Sequence, residues 1–121
     1  MKITSFEDIE SWQYARILTN QIYKISNSTK LKNDFGLRDQ IRRATVSIMS
    51  NIAEGFDSKS NKSFINFLNY SYRSTSEVQS LLYVSIDQHY ISKTEFENLY
   101  KICADIKGLI GGFTKYLKTI N

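Results

Sequence analysis

Apolar residues recur along the chain at steps of three and four, in four separate runs. The first comprises Ile9, Trp12, Ala15, Leu18, Ile22 and Ile25, one face of a helix. Ser5-Phe6-Glu7-Asp8 precedes it with a capping residue and early negative charge, as a helix start requires. A helix is therefore predicted over about 6–26, ending in the polar linker Ser26-Asn27-Ser28-Thr29-Lys30. The second run, Leu37, Ile41, Ala44, Ile48 and Ile52, predicts a helix over 34–55, with Gly55 as a natural terminator. After the polar connection Asp57 to Lys62, a third helix is expected over 60–88. Its face carries Phe64, Phe67, Leu68, Val78, Leu81 and Leu82, with small Ser71 and Thr75 in the middle. Ser92-Lys93-Thr94-Glu95 reads as a capping box opening a fourth helix over 92–119. Its seam runs through Phe96, Leu99, Cys103, Ile106, Ile110, Phe113, Leu117 and Ile120, as in a helical bundle. Short links imply antiparallel neighbours. The expected fold is all-α: one antiparallel up-down-up-down four-helix bundle domain over 1–121, with helices roughly 30–40 Å long.

Composition narrows this picture further. The chain of 121 residues has no proline and five glycines, too few for a turn-rich β domain. At 41% hydrophobic residues it is too apolar for a disordered chain. The single cysteine, Cys103, cannot form an intramolecular disulfide, which suits a reducing, cytoplasmic location. Acidic residues occupy the N-terminal stretch where a signal peptide needs an apolar run. No apolar stretch approaches the length of a membrane span. The net charge of +4 is compatible with an acidic or nucleic-acid partner.

Helix 2 departs from simple amphipathicity. Gln40, Arg43, Ser47, Asn51 and Glu54 form a polar stripe on one flank of its core face. Arg42, Val46, Met49 and Ala53 form a second, mostly apolar stripe on the other. A monomer rarely needs two apolar faces on a surface helix, so this stripe is expected to form an oligomer interface or to lie under a neighbouring loop. The polar flank is expected to join a structural network of Gln40, Arg43, Asn51, Glu54, Arg73 and Glu77, with cross-helix ion pairs. Such a network fixes register more than it adds stability.

The run Gly36-Leu37-Arg38-Asp39-Gln40-Ile41-Arg42-Arg43-Ala44, then Ser47-Ile48 and Asn51-Ile52-Ala53-Glu54-Gly55, resembles the signature of a bacterial four-helix bundle family. That family is named for reading frames inside intervening sequences of large-subunit ribosomal RNA genes. Phe6 to Trp12, Ala15, Phe64-x-x-Phe67-Leu68, Arg73-Ser74-x-x-Glu77 and Tyr90-Ile91-Ser92 extend the resemblance over nearly the whole chain. It implies a homopentamer and a role in binding ribosomal RNA. The accessory proteins of diversity-generating retroelements are similar in fold. They imply an alternative, a scaffold that docks a partner enzyme such as a reverse transcriptase. Two positions depart from the family pattern: Met49 stands where a small or proline-like residue is common, and the linker before helix 2 lacks its usual proline.

Catalytic chemistry finds little support. His89 has no nucleophile or orienting partner at a suggestive spacing. One cysteine and one histidine do not make a zinc site. No bundle-type Glu-x-x-His pair or phosphate-cradling glycine loop occurs. No enzyme activity, metal or cofactor is expected. Gly108, Gly111 and Gly112 sit away from the helix 4 seam. Nucleic-acid binding, to RNA or DNA, has better material. Arg38, Arg42 and Arg43 cluster on helix 2, and Lys101, Lys107, Lys115 and Lys118 add charge along helix 4. Guanidinium groups suit phosphate through bidentate hydrogen bonding. Tyr70 and Tyr72 would stack on bases if exposed, although tyrosines more often pack in a core or interface, and such lysines more often make a solvated face.

Overall fold

The computed structural model describes residues 2–120, and four long helices dominate it. They are α1 (Glu10–Ser28), α2 (Phe35–Phe56), α3 (Asn61–Asp87) and α4 (Lys93–Thr119). Short 3-10 turns at Phe6–Asp8 and Lys30–Asn33 precede α1 and α2. No strand occurs among the described residues.

Contacts between helices set their directions. On α2, Gln40, Ser47 and Ile48 meet Glu77, Ser74 and Ser71 of α3 in reverse order. On α1, Thr19 meets Met49 while Ser26 meets Arg42. On α3, Phe64 packs on Phe113 and Tyr83 on Phe96. Each sequential pair is therefore antiparallel, and α1 packs on α4 to close the bundle. The predicted fold class is the observed one.

The start of α1 differs from expectation. Residues 6–8 form a 3-10 turn, and Ile9 adopts an extended backbone before the helix begins. The Asp8 carboxylate explains the break. It accepts from Thr4 N–H (2.9 Å), the Thr4 hydroxyl (3.0 Å) and Ser5 N–H (3.2 Å). These bonds hold its pKa below the usual carboxylate value, the Thr4 amide being the largest cause. The kink turns Ile9 into the core, where it is almost fully buried. At the other end α1 runs on to Ser28, through residues expected to be linker. Ser26 is buried there.

α2 starts on Asp34, whose Oδ1 accepts from Leu37 N–H at 3.2 Å. It does not stop at Gly55, which lies inside the helix with no positive φ. This glycine serves close approach instead. A Cβ there would stand 2.7 Å from Phe67 Cβ and 2.8 Å from Phe64 Cδ1. Small residues continue the tight α2–α3 seam. Ser71 and Thr75 are fully buried, and the Ser71 hydroxyl donates to the Ile48 carbonyl at 2.9 Å.

α4 opens on the expected capping box. Ser92 Oγ accepts from Glu95 N–H (3.0 Å), and Glu95 accepts from Ser92 N–H (2.8 Å). Leu99, Cys103, Ile106, Ile110 and Leu117 are buried; Phe96 and Phe113 are half-buried, and Ile120 is exposed. In the α3–α4 turn His89 has φ 62, the left-handed region that a non-glycine residue seldom adopts. Beside it the Tyr90 hydroxyl donates to Asp34 Oδ2 at 3.1 Å, tying this turn to the start of α2. That bond also raises the Tyr90 pKa. Among the described residues no helix is long and apolar enough to cross a membrane.

Gly55→Ala should lower stability by about 1–3 kcal/mol, the usual cost of overpacking. The added methyl group meets Phe67 at its Cβ, which a rotamer change cannot move. Urea denaturation measures this, and an unchanged midpoint would mean that α2 and α3 stand further apart.

Candidate nucleic-acid interface

The three arginines of α2 have three different situations. Arg42 reaches across to α1, where Nε donates to Ser26 Oγ and Nη2 to Asn27 Oδ1, both at 2.8 Å. Its guanidinium also lies 4.7 Å from the Tyr23 ring centroid. Arg38 pairs with Asp39 at 2.9 Å and donates to the Lys32 carbonyl at 3.2 Å. Arg43 is exposed and has no hydrogen bond or ion pair among the described residues. The sequence cluster thus resolves into a structural clamp, a partly engaged cation and a free one.

The polar network also differs from expectation. Gln40 donates to Glu77 at 3.3 Å, Ser47 and Ser74 share a hydrogen bond of 3.0 Å, and Asn51 donates back to the Ser47 carbonyl at 2.9 Å. Ion pairs among Arg43, Glu54, Arg73 and Glu77 do not form. All four side chains are exposed at the rim. The gap between α2 and α3 is so narrow that serine hydroxyls bridge it. Arg73 stacks instead on Tyr70, 5.2 Å from its centroid.

The second stripe of α2 is divided. Met49 is half-buried and accepts a contact from the Thr19 hydroxyl at 3.2 Å, so α1 already covers it. Ala53 is half-buried, and Val46 is 39% exposed. Val46 lines an open cleft of about 670 Å³ with Tyr23, Arg42, Arg43, Ser50 and Glu54.

The lysines of α4 divide as well. Lys101 pairs with Asp105 one turn on, at 3.1 Å. Lys107 donates to Gln79 at 3.1 Å and lies 4.9 Å from the Tyr72 centroid. Lys115 and Lys118 are exposed and unpaired among the described residues. They line a cleft of about 290 Å³ with Asn69, Tyr72, Gly111 and Thr114. Thr114 Oγ1 is buried there without a hydrogen-bond partner. A Cβ on Gly108, Gly111 or Gly112 would meet nothing within 4 Å, so no packing inside the chain accounts for these glycines. Lys115 and Lys118 come together with an aromatic ring and an amide, whereas Lys101 stands apart from that cleft.

Periodicity did not single out Phe35, the most exposed of the large apolar side chains described, at 64%. It shares an open cleft of about 700 Å³ with Lys30, Asn33, Asp34, Gly36 and Tyr90. The signal was its place two residues before the Leu37 seam, where it falls outside the core stripe. His89 is exposed. Cys103 is fully buried, and desolvation pushes its thiol pKa up to about 12, leaving it an inert small hydrophobe. No group of His, Cys, Asp and Glu that could hold a metal ion gathers among the described residues.

Residues 7–112 match the family model described as 23S rRNA-intervening sequence protein. The chain is also similar to a crystal structure of a protein of unknown function from the S23 ribosomal protein family of Bacteroides thetaiotaomicron. The two share 24% identity and superpose with a TM-score of 0.80, covering 87% of this chain and 95% of that one. At that identity the likeness shows the fold. No curated protein matches the chain.

The geometry separates Arg42 from Arg43. Arg42→Ala removes two hydrogen bonds and a cation–π contact and should cost about 1–2 kcal/mol of stability. Arg43→Ala should leave stability nearly unchanged. Thermal denaturation of the two variants measures this, and equal losses would contradict the clamp.

Proposed function

The chain belongs to the family of 23S rRNA-intervening sequence proteins, and on that premise we propose that it is a non-catalytic, homo-oligomeric bundle that binds structured ribosomal RNA. The observation that carries the reading is the α3–α4 cleft. Lys115 and Lys118 stand there beside Tyr72 and Asn69, unpaired among the described residues, an arrangement suited to phosphate and base contact. Lys107, whose ammonium lies over the Tyr72 ring, supplements it, whereas Arg43 stands on α2 in the cleft around Val46. Arg38 and Lys101 contribute less because each already faces a carboxylate, and Arg42 contributes least because α1 occupies its guanidinium. The name of the family supports RNA as the ligand class.

Assembly is the second part of the reading. The open cleft around Val46 on α2 suits a second copy of the chain, and the family resemblance favours five copies. Repetition around a ring would turn a weak basic cleft into useful avidity.

Mobility shifts with 23S rRNA fragments at roughly 50 mM salt should show binding that weakens steeply as salt rises. Replacing Lys115 and Lys118 by alanine should lower the slope of log affinity against log salt by about one per lysine in contact. No shift at low salt would remove the RNA reading. For assembly, light scattering should give a mass well above 14.1 kDa, and Val46→Glu should reduce it. A monomeric wild type would contradict assembly, and an unchanged mass for the variant would place the interface elsewhere.

A further inference from the structure

At one end of the bundle the start of α2 meets the α3–α4 turn. Phe35 projects there, 64% exposed, with the Arg38 guanidinium 4.8 Å from its ring centroid. Tyr90 lines the same cleft, and its hydroxyl is fixed on Asp34 Oδ2. The other Asp34 oxygen accepts from Leu37 N–H, so the carboxylate lining the cleft is engaged at both oxygens. Asp39 is engaged with Arg38. Lys30 and Lys32 are exposed, and neither side chain has a partner among the described residues. Gly36 leaves the floor open, because a Cβ there would meet nothing within 4 Å.

We propose that this cleft takes an unpaired nucleotide of a single-stranded RNA segment. Phe35 is the stacking surface and Tyr90 the wall. Lys30 and Lys32 meet the flanking phosphates, and Asn33 supplies an amide that both donates to and accepts from a base edge. The inference deepens the RNA reading above and rests on it. A duplex keeps its base faces stacked inside, so an exposed aromatic ring is useful only to an unstacked base. Most of the surface that the cleft exposes is apolar, as a base face requires, and charge is what separates a nucleotide from an apolar protein partner. Lys30 and Lys32 are exposed without a partner among the described residues and outnumber Asp34, the one carboxylate there that no cation pairs. Charge complementarity therefore selects a polyanion with aromatic faces.

The test compares a labelled single-stranded RNA of mixed sequence with a duplex of equal length, by fluorescence anisotropy in roughly 50 mM salt. Wild type, Phe35→Ala and Phe35→Trp are measured, each checked by light scattering. Wild type should prefer the single strand. Phe35→Ala should lose about tenfold on the single strand and nothing on the duplex, and Phe35→Trp should retain binding. Phe35 is exposed, so both variants should fold, and circular dichroism verifies this. Equal affinity of wild type for the two forms, or an insensitive Phe35→Ala, would overturn the cleft assignment while leaving RNA binding intact. A change of mass in Phe35→Ala would make Phe35 a subunit contact and overturn the assignment too. If wild type binds neither RNA, the RNA-binding reading falls and the cleft assignment with it, while assembly stands or falls on its own test.

Discussion

The close approach of α2 and α3 is the constraint from which the other arrangements follow. At Gly55 the absence of a side chain lets the helix backbone rest against Phe64 and Phe67. A turn or two further along, buried Ser71 and Thr75 keep the gap narrow, and Ser71 bonds directly to the α2 backbone. Glycine and serine bring little apolar area, so this seam gains through contact distance rather than burial. Its geometry sends Phe64 toward Phe56 and Phe113, with centroids 6.2 and 5.3 Å away. One aromatic cluster thereby joins α2, α3 and α4.

The same closeness decides what the polar residues beside the seam do. Arg43, Glu54, Arg73 and Glu77 are too long for the space between the helices, so they lie outside it. Exposed pairs in such positions contribute little even when they form. Arg42 behaves otherwise because it faces the last turns of α1, where two side-chain acceptors stand within its reach. This explains why α1 persists through Ser26 and Asn27, two residues with weak helix propensity. Tertiary hydrogen bonding holds the last turns that local preference would release.

Four helices, their order and most of their buried positions were legible because hydrophobic periodicity reports burial directly. Ile41, Ile48, Leu68, Ile106 and Ile110 stand at predicted seam positions and are essentially inaccessible. The role of Gly55 was not legible. A glycine near a helix end reads the same whether it serves a left-handed cap or a close contact, and only the position of Phe67 distinguishes them. The division of the α2 arginines was hidden for a related reason. Spacing places Arg38, Arg42 and Arg43 on a helix surface, but what each guanidinium meets depends on residues of another turn or helix. Phe35 escaped notice because a single apolar residue off a seam is ordinary. It becomes informative only when its cationic surroundings and the fixed Tyr90 ring are placed around it.

The distribution of unengaged charge separates two surfaces that the sequence merges. The cleft around Val46 lies along α2, whereas Lys115 and Lys118 lie between α3 and α4. Phe35 stands with Lys30 and Lys32 at the bundle end. A second copy seated on the Val46 cleft would cover Arg42, whose charge is already hydrogen-bonded, and Arg43, whose charge the incoming subunit would have to meet with an acceptor, and it would leave Lys115 and Lys118 facing solvent. Burying an unpaired lysine at a subunit contact would be far costlier than burying a satisfied arginine. Self-association and polyanion binding therefore do not compete for one face in the proposed assembly. Each subunit added to a ring would multiply the exposed cationic clefts rather than cover them.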